Sequence, residues 1–243
     1  MSELSVKSAP CLGLLGGFHL GAGETIRPSR AVQRLLAYLA VRGGTTLRAA
    51  LRTDLWPESD ATHASACLRS ALWRSPRPGG RPLVQTYGGR ISLAPDVHVD
   101  LWHSIAEARR LTNGENLDGP IPSYEPFADE LLPDWSEDWL LIEQESYRQL
   151  RLHALERTSA LLHQQGHYAE ALQAALLAVR GEPLRESAHR QVIAVHLAEG
   201  NPAEALRQFH TCRRLLAAEL GLPPSRATRD MVAHLLGRPV DGP

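Results

Sequence analysis

The sequence is notable first for what it lacks. Lysine is almost missing: Lys7 is the only one, and the other basic residues are arginine, a bias that reflects genome base composition and not function. Three cysteines, Cys11, Cys67 and Cys212, lie far apart. They form no CxxC pair, no metal-ligand spacing and no even disulfide set, which fits a reducing cytoplasm. No apolar run approaches the ~20 residues that span a bilayer, and the N-terminus lacks a signal-peptide pattern. A soluble cytoplasmic chain without a membrane partner is expected. No phosphate-cradling G-x-x-x-x-G-K-[ST] loop, dinucleotide glycine pattern, G-x-S-x-G elbow or HExxH pair occurs. His163 and His167 have helical ligand spacing, but they bracket Gly166 without a third ligand and read as surface histidines. Asp134, Glu137, Asp138, Glu143 and Glu145 read as solvated faces and helix caps. The expectation is a protein that is not an enzyme and carries no cofactor and no metal.

The near-zero net charge of −1 hides an asymmetry. Residues 1–95 hold twelve Lys/Arg against five Asp/Glu, a charge of +7, and the remainder carries −8. A basic first part and an acidic second part suggest two domains with different partners. Within the basic part, Asp60 to Arg77 separates at 100° per residue into two faces. Ala61, Ala64, Leu68, Ala71, Leu72 and Ser75 share one side. Thr62, His63, Ala66, Arg69, Ser70, Trp73 and Arg74 lie on or near the other, which has no carboxylate. Asp60 can cap this helix, and Pro76 stops it. A thin, arginine-bearing face of this kind suits a DNA major groove, where Arg reads guanine edges and small residues allow close approach.

The order of elements gives that helix a context. Cys11 to Leu20 and Gly23 to Ile26 read as short strands. Ser29 opens a helix that Gly43-Gly44 ends. Thr45-Thr46 leads into a second helix, Leu47 to Leu55, closed by Trp56-Pro57. After the Asp60–Ser75 helix, Leu83 to Thr86 and Ile91 to Leu93 form a hairpin around Tyr87-Gly88-Gly89-Arg90. Strands, three helices and a hairpin make a winged helix, in which the third helix is the recognition helix and the hairpin is the wing. Arg69, at the middle of the outer face, is the expected base contact. Thr62, His63, Ser65 and Ser70 are placed for smaller base or phosphate contacts. Arg74, Thr45, Thr46 and Arg48 are expected on phosphates, and Tyr87 and Arg90 at the wing tip. Trp73 is open between packing on the wing, packing on a sugar, and the core.

From Asp96 the texture changes. Val99 to Leu111 reads as a helix, Thr112 to Pro133 as a long wrapped loop ending in a cap at Asp134 and an apolar anchor at Trp135, and Ser136 to Gln165 as a long helix. The chain then repeats: Gly166-His167-Tyr168-Ala169-Glu170-Ala171-Leu172 returns as Gly200-Asn201-Pro202-Ala203-Glu204-Ala205-Leu206, 34 residues on. That is the tetratricopeptide period. Ala175 matches Phe209 and Ala178 matches Cys212, as expected for stacked helix pairs whose concave face binds partners.

Several segments together resemble a known class: Leu35-Leu36-Ala37-Tyr38-Leu39-Ala40, Asp54-Leu55-Trp56-Pro57, Leu68 to Arg74, Val99-Asp100-Leu101-Trp102, Glu182-Pro183-Leu184-Arg185-Glu186, Gly200 to Ala205, and Glu219 to Ser225. From about Cys11 to Leu236 the chain resembles the Streptomyces antibiotic regulatory proteins (SARPs). Those activators join an OmpR-like winged helix to a bacterial transcriptional activator domain (BTAD). The fold expected is mainly α with small β: a winged helix-turn-helix at residues 10–95 and an all-α tetratricopeptide-like domain at 96–240. The resemblance implies a transcription activator that binds promoter repeats on double-stranded DNA as a homodimer or paired protomers and contacts RNA polymerase. It also implies that the ATPase and phosphorylation domains of larger relatives are not part of this sequence. Two other readings stay open from the residues alone: a tetratricopeptide-type adaptor whose winged helix does not bind DNA, and a ligand-gated repressor.

Overall fold

A computed structural model describes residues 9–113 and 122–236, which fall into two compact units. The first unit comprises residues 1–105 and 129–147, and the second 106–128 and 148–243. The chain therefore leaves the first unit, returns to it, and leaves again.

The first unit runs β1 (Cys11–Gly13), β2 (His19–Gly21), α1 (Arg30–Arg42), β3 (Thr46–Leu47), α2 (Arg48–Leu55), α3 (Ala61–Arg74), β4 (Val84–Tyr87), β5 (Arg90–Leu93), β6 (His98–Val99) and the start of α4 (Asp100–Thr112). One sheet has the order β2-β1-β6, with β1 antiparallel to β2 and parallel to β6. The other, antiparallel throughout, has the order β3-β5-β4. At the centre lies α1. Val32 and every residue from Leu35 to Ala40 are buried, so it is apolar nearly all round, as an enclosed helix must be. Leucines of β1, β2, α2 and α3 pack on it, each fully buried side chain contributing roughly 1.5–3 kcal/mol.

Four sequence expectations change here. The Cys11–Leu20 strand is broken after Gly13. The amides of Leu14 and Leu15 turn away from the ladder and donate to the Asp100 carboxylate at 2.9 and 3.1 Å. Gly16 and Gly17 then take positive φ. Of the Gly23–Ile26 strand only a bridge from Gly21 to Thr25 and the bond from Ile26 N to Leu20 O remain. The second helix starts at Arg48, because Thr46 and Leu47 pair with Ile91 and Arg90 as β3. The long helix starts at Asp138, so Asp134 is not its cap.

The largest change is the boundary expected at residue 95/96. Beyond it, β6 pairs with β1, and the Trp102 indole donates to Ala40 O at 2.7 Å. The returning segment 129–147 also belongs to this unit. Leu15 bridges Leu131, and Leu132 N donates to Leu14 O at 2.8 Å. Leu132 is fully buried at φ 43°, a value that surrounding contacts must impose on a leucine. Among those contacts, the Gln144 side-chain amide donates to the carbonyls of Leu131 and Leu132. Trp135 stacks on Phe18, and Trp139 lies 5.0 Å from the Tyr38 ring.

The second unit takes the end of α4, a one-turn helix at Glu125–Phe127 with Phe127 fully buried, the second part of α5 (Asp138–Gln164), and α6 (Tyr168–Gly181), α7 (Glu186–Ala198), α8 (Pro202–Leu220) and α9 (Arg226–Leu236). Residues 114–121 of the expected loop lie outside the described residues. The 34-residue period is exact for the starts of α6 and α8, at Tyr168 and Pro202. It lengthens to 40 between the starts of α7 and α9, because α8 has 19 residues where α6 has 14 and the connection after it is one residue longer. Ala171, Ala174, Ala175, Ala178, Ala188 and Ala205 are all at 0% exposure, which lets helix backbones approach closely. Two separated sequence motifs meet here: the Glu186 carboxylate accepts from Ser225 N, Ser225 Oγ and Thr228 Oγ1, binding the start of α7 to the start of α9. Burial raises the Glu186 carboxyl pKa, but those hydrogen bonds together outweigh it and hold the group below its ordinary 4.5.

Candidate nucleic-acid interface

Helix α3 begins where the sequence demands. The Asp60 carboxylate accepts from the amides of Thr62 and His63 at 2.8 and 2.9 Å, and those bonds hold its pKa below the usual value. Ala64, Leu68 and Ala71 form the buried underside. Thr62, His63, Arg69, Ser70, Trp73 and Arg74 are exposed, as their helical positions require. Ser65 departs from the expected role. It is half-buried, donates to Ala61 O at 2.6 Å and accepts from Arg52 Nη1 at 2.7 Å, so its hydroxyl joins α3 to α2. Pro76 ends the helix, with Ser75 already extended.

The wing is a tight hairpin pairing Tyr87 with Arg90, and Gly88 and Gly89 supply φ of 55° and 78°. Only residues without a Cβ adopt two such angles readily, so the sequence Gly-Gly fixes the turn. Its tip is tied to the body: Arg48 N donates to Gly89 O at 3.2 Å, and Arg90 reaches Thr45 Oγ1 at 3.5 Å. Thr45, Thr46, Arg48, Tyr87 and Arg90 thus form one cluster, with the Tyr87 ring 90% exposed. Between the C-terminal turns of α3 and the wing runs a cleft of about 430 Å³, whose lining includes Arg48, Arg69, Trp73, Arg77, Val84 and Thr86. It joins the wing cluster to Arg69. Thr62 and His63 sit at the opposite end of α3, Thr62 roughly 10 Å from Arg69 and roughly 16 Å from Trp73 along its axis at about 1.5 Å per residue.

The arginines of the first unit divide into two populations. Arg34 pairs with Glu137 at 2.7 Å, Arg30 with Glu137 at 3.3 Å, Arg42 with Glu143 at 3.0 Å, and Arg81 with Asp96 at 3.4 Å. Glu137 and Glu143, expected as solvated faces, hold α1. By contrast, Arg48, Arg69, Arg74 and Arg77 make no side-chain hydrogen bond or ion pair with another described residue. The +7 expected for a domain ending at residue 95 does not describe this unit. With 96–105 and 129–147 included it holds twelve basic and fourteen acidic residues, a net charge of −2, and the second unit is +1. Local placement, not net charge, sets the field around α3. Arg77 has no role assigned from its place in the sequence, and Trp73 has three open ones; the signal that bears on both is Pro76, beyond which Arg77 lines the same cleft as Trp73.

Residues 122–236 match the bacterial transcriptional activator domain. The chain is 29% identical over 242 residues to Regulatory protein AfsR of Streptomyces coelicolor, an alignment covering 88% of this chain and 23% of that protein. It is 28% identical over 262 residues to Regulatory protein AfsR of Streptomyces griseus, covering 95% of this chain and 25% of that one. The chain therefore spans about a quarter of the length of the curated relatives it matches. The fold is shared with Mycobacterium tuberculosis EmbR, solved in complex with a low affinity phosphopeptide. The TM-score is 0.73 at 19% identity, over 97% of this chain and 67% of that one. Residues 122–236 thus match a bacterial transcriptional activator domain, and the chain as a whole, a winged helix followed by tetratricopeptide-like helices, is similar to transcriptional regulators of the SARP type.

Proposed function

We propose that this regulator binds double-stranded DNA through α3 and the wing and activates transcription by engaging RNA polymerase, acting by binding and not by catalysis. The observation that carries the reading is the set of four arginines, Arg48, Arg69, Arg74 and Arg77, left without protein partners on α3 and beside it. Unpaired guanidinium groups gathered on one exposed face repel one another, and a polyanion relieves that repulsion. Arg69 is the base-reading residue, where one bidentate pair with guanine supplies ~1–3 kcal/mol of discrimination. Arg48, Arg74 and the wing cluster position the protein on phosphates. The second unit holds a second protomer on adjacent promoter repeats.

The net charge of −2 on the first unit favours the rival reading, an adaptor whose winged helix meets protein. Screening weakens that objection, because exposed charges more than about 8 Å away count for little at physiological ionic strength. Glu137 and Glu143 are in any case engaged by Arg30, Arg34 and Arg42. Binding of promoter fragments by the intact protein and by Arg69→Ala, titrated with salt, separates the two readings. No binding by the intact protein at low salt sinks the DNA reading. In-vitro transcription with polymerase, with and without the protein, tests activation.

A further inference from the structure

Trp73 is the most exposed large apolar side chain on α3, at 82%, which removes the core as its place. It stands one turn beyond Arg69 on the same face and opens onto the cleft between α3 and the wing. Its apolar lining comes from Leu72, Pro76, Pro82, Leu83 and Val84 and its cationic lining from Arg48, Arg69 and Arg77, with hydroxyls of Ser75 and Thr86. No carboxylate lines it. Pro76 matters to this arrangement: a helix continued through residue 77 would carry Arg77 onward along the α3 axis, whereas the break leaves it in the cleft wall.

We propose that this cleft holds the sugar–phosphate backbone of one DNA strand, with the Trp73 indole packed on a deoxyribose face and Arg48 and Arg77 on the flanking phosphates. The inference rests on the DNA-binding reading above and assigns that site two residues which base readout does not need. The chemistry selects backbone over base. A strand backbone alternates a largely apolar sugar with an anion, which matches apolar side chains set among cationic ones. Arg69 is the lining residue assigned to a base edge, which leaves Arg48 and Arg77 for phosphates and the Trp73 ring, without a base-pair hydrogen-bonding role, for the sugar. The Trp73 contribution is therefore independent of sequence and, being apolar, independent of salt. That of Arg77 is independent of sequence and depends on salt.

The test uses the full chain and short duplexes of mixed, A·T-only and G·C-only sequence, with affinity measured across a salt titration. Trp73→Ala weakens binding about tenfold on all three duplexes and leaves the salt slope unchanged, as the loss of one large apolar contact requires. Trp73→Phe recovers most of that loss. Arg77→Ala lowers the magnitude of the log–log salt slope by about 0.9, the value for one phosphate. Both side chains are exposed, and circular dichroism verifies that each variant keeps its fold. Unchanged affinity in Trp73→Ala overturns the inference while leaving DNA binding intact. A loss seen on A·T duplexes but absent on G·C duplexes overturns it in favour of a thymine-methyl contact. Failure of the intact protein to bind any duplex at low salt removes the DNA reading itself, and this inference with it.

Discussion

The two units are built from different materials. The first packs leucines, tyrosines and tryptophans around one enclosed helix, while the second packs alanines between stacked helices. Their arginines differ as well. In the second unit Arg185 pairs with Glu156, Arg148 with Glu182, Arg207 with Glu204 and Arg226 with Asp230. In the first, four arginines around α3 have no protein partner. The second unit also has arginines without a side-chain partner among the described residues, Arg109, Arg157, Arg180 and Arg213, so what sets the first unit apart is that its four lie on or beside one helix. Close helix approach demands small residues, and in the second unit buried alanines alternate with leucines, valines and the two phenylalanines Phe127 and Phe209 that fill the space between them.

The sharpest way to break this contrast is at Phe209, the large fully buried residue in a cluster with Ile193, Ala205 and Val232. Phe209→Ala is expected to cost about 3–5 kcal/mol in denaturant unfolding; a loss under ~1 kcal/mol would show that the unit does not depend on it. Its repeat equivalent is Ala175, also fully buried. Ala175→Leu is expected to destabilise by about 1–3 kcal/mol through overpacking, where the same change on a leucine-lined surface would be mild. On the charge side, Arg69→Ala is expected to lose ~1–3 kcal/mol of preference for promoter over random DNA, while Arg34→Ala, whose partner is Glu137, leaves that preference untouched. Equal effects from the two would erase the division into populations.

A smaller, pH-dependent effect belongs to His189. It is fully buried, with Nε2 donating to Pro183 O at 2.9 Å and Nδ1 accepting from the Gln208 amide at 2.7 Å. Burial pushes its pKa below 6.5, against the opposing pull of the Pro183 bond and Glu186. Above pH 6.5 the folded and unfolded chains both hold it neutral, and its contribution to stability is complete. As pH falls below 6.5 the unfolded chain takes up the proton first, so stability declines until the lowered folded value is passed. Thermal melting between pH 7.5 and 5.5, compared with His189→Gln, measures this. Glu186, held low, acts in a separate window beginning near 4.5. Smallest of all is Arg207→Ala, whose pair with Glu204 is 71% exposed on the arginine side and should change stability by less than ~0.5 kcal/mol.

Local signals carried the elements that sequence reading recovered. Asp60 and Pro76 bracket α3, Gly88-Gly89 fixes the wing, and the period of 34 aligns α6 with α8. What stayed hidden depends on residues far apart in the chain. Arg30 and Arg42 meet carboxylates 107 and 101 residues away, and no pattern along the chain distinguishes them from the unpaired Arg48 or Arg69. Strand β6 has two residues, too few for an alternation to register. Ser65 has helix-face spacing like Ser70, and only the proximity of Arg52 turns it inward.

The return of residues 129–147 also bears on how such a chain can be recombined. A fusion that cut after residue 95 would carry away the winged helix stripped of the Asp100 carboxylate that receives Leu14 and Leu15, of the Trp102 indole on α1, and of Leu132, Trp135 and Trp139 from its core. The smallest piece that keeps its own interior whole runs to Tyr147 and takes the intervening residues 106–128 with it. Two units that look separable on a linear map are therefore laced together in the gene, and the exposed face of α3 is most easily altered by changing its side chains in place.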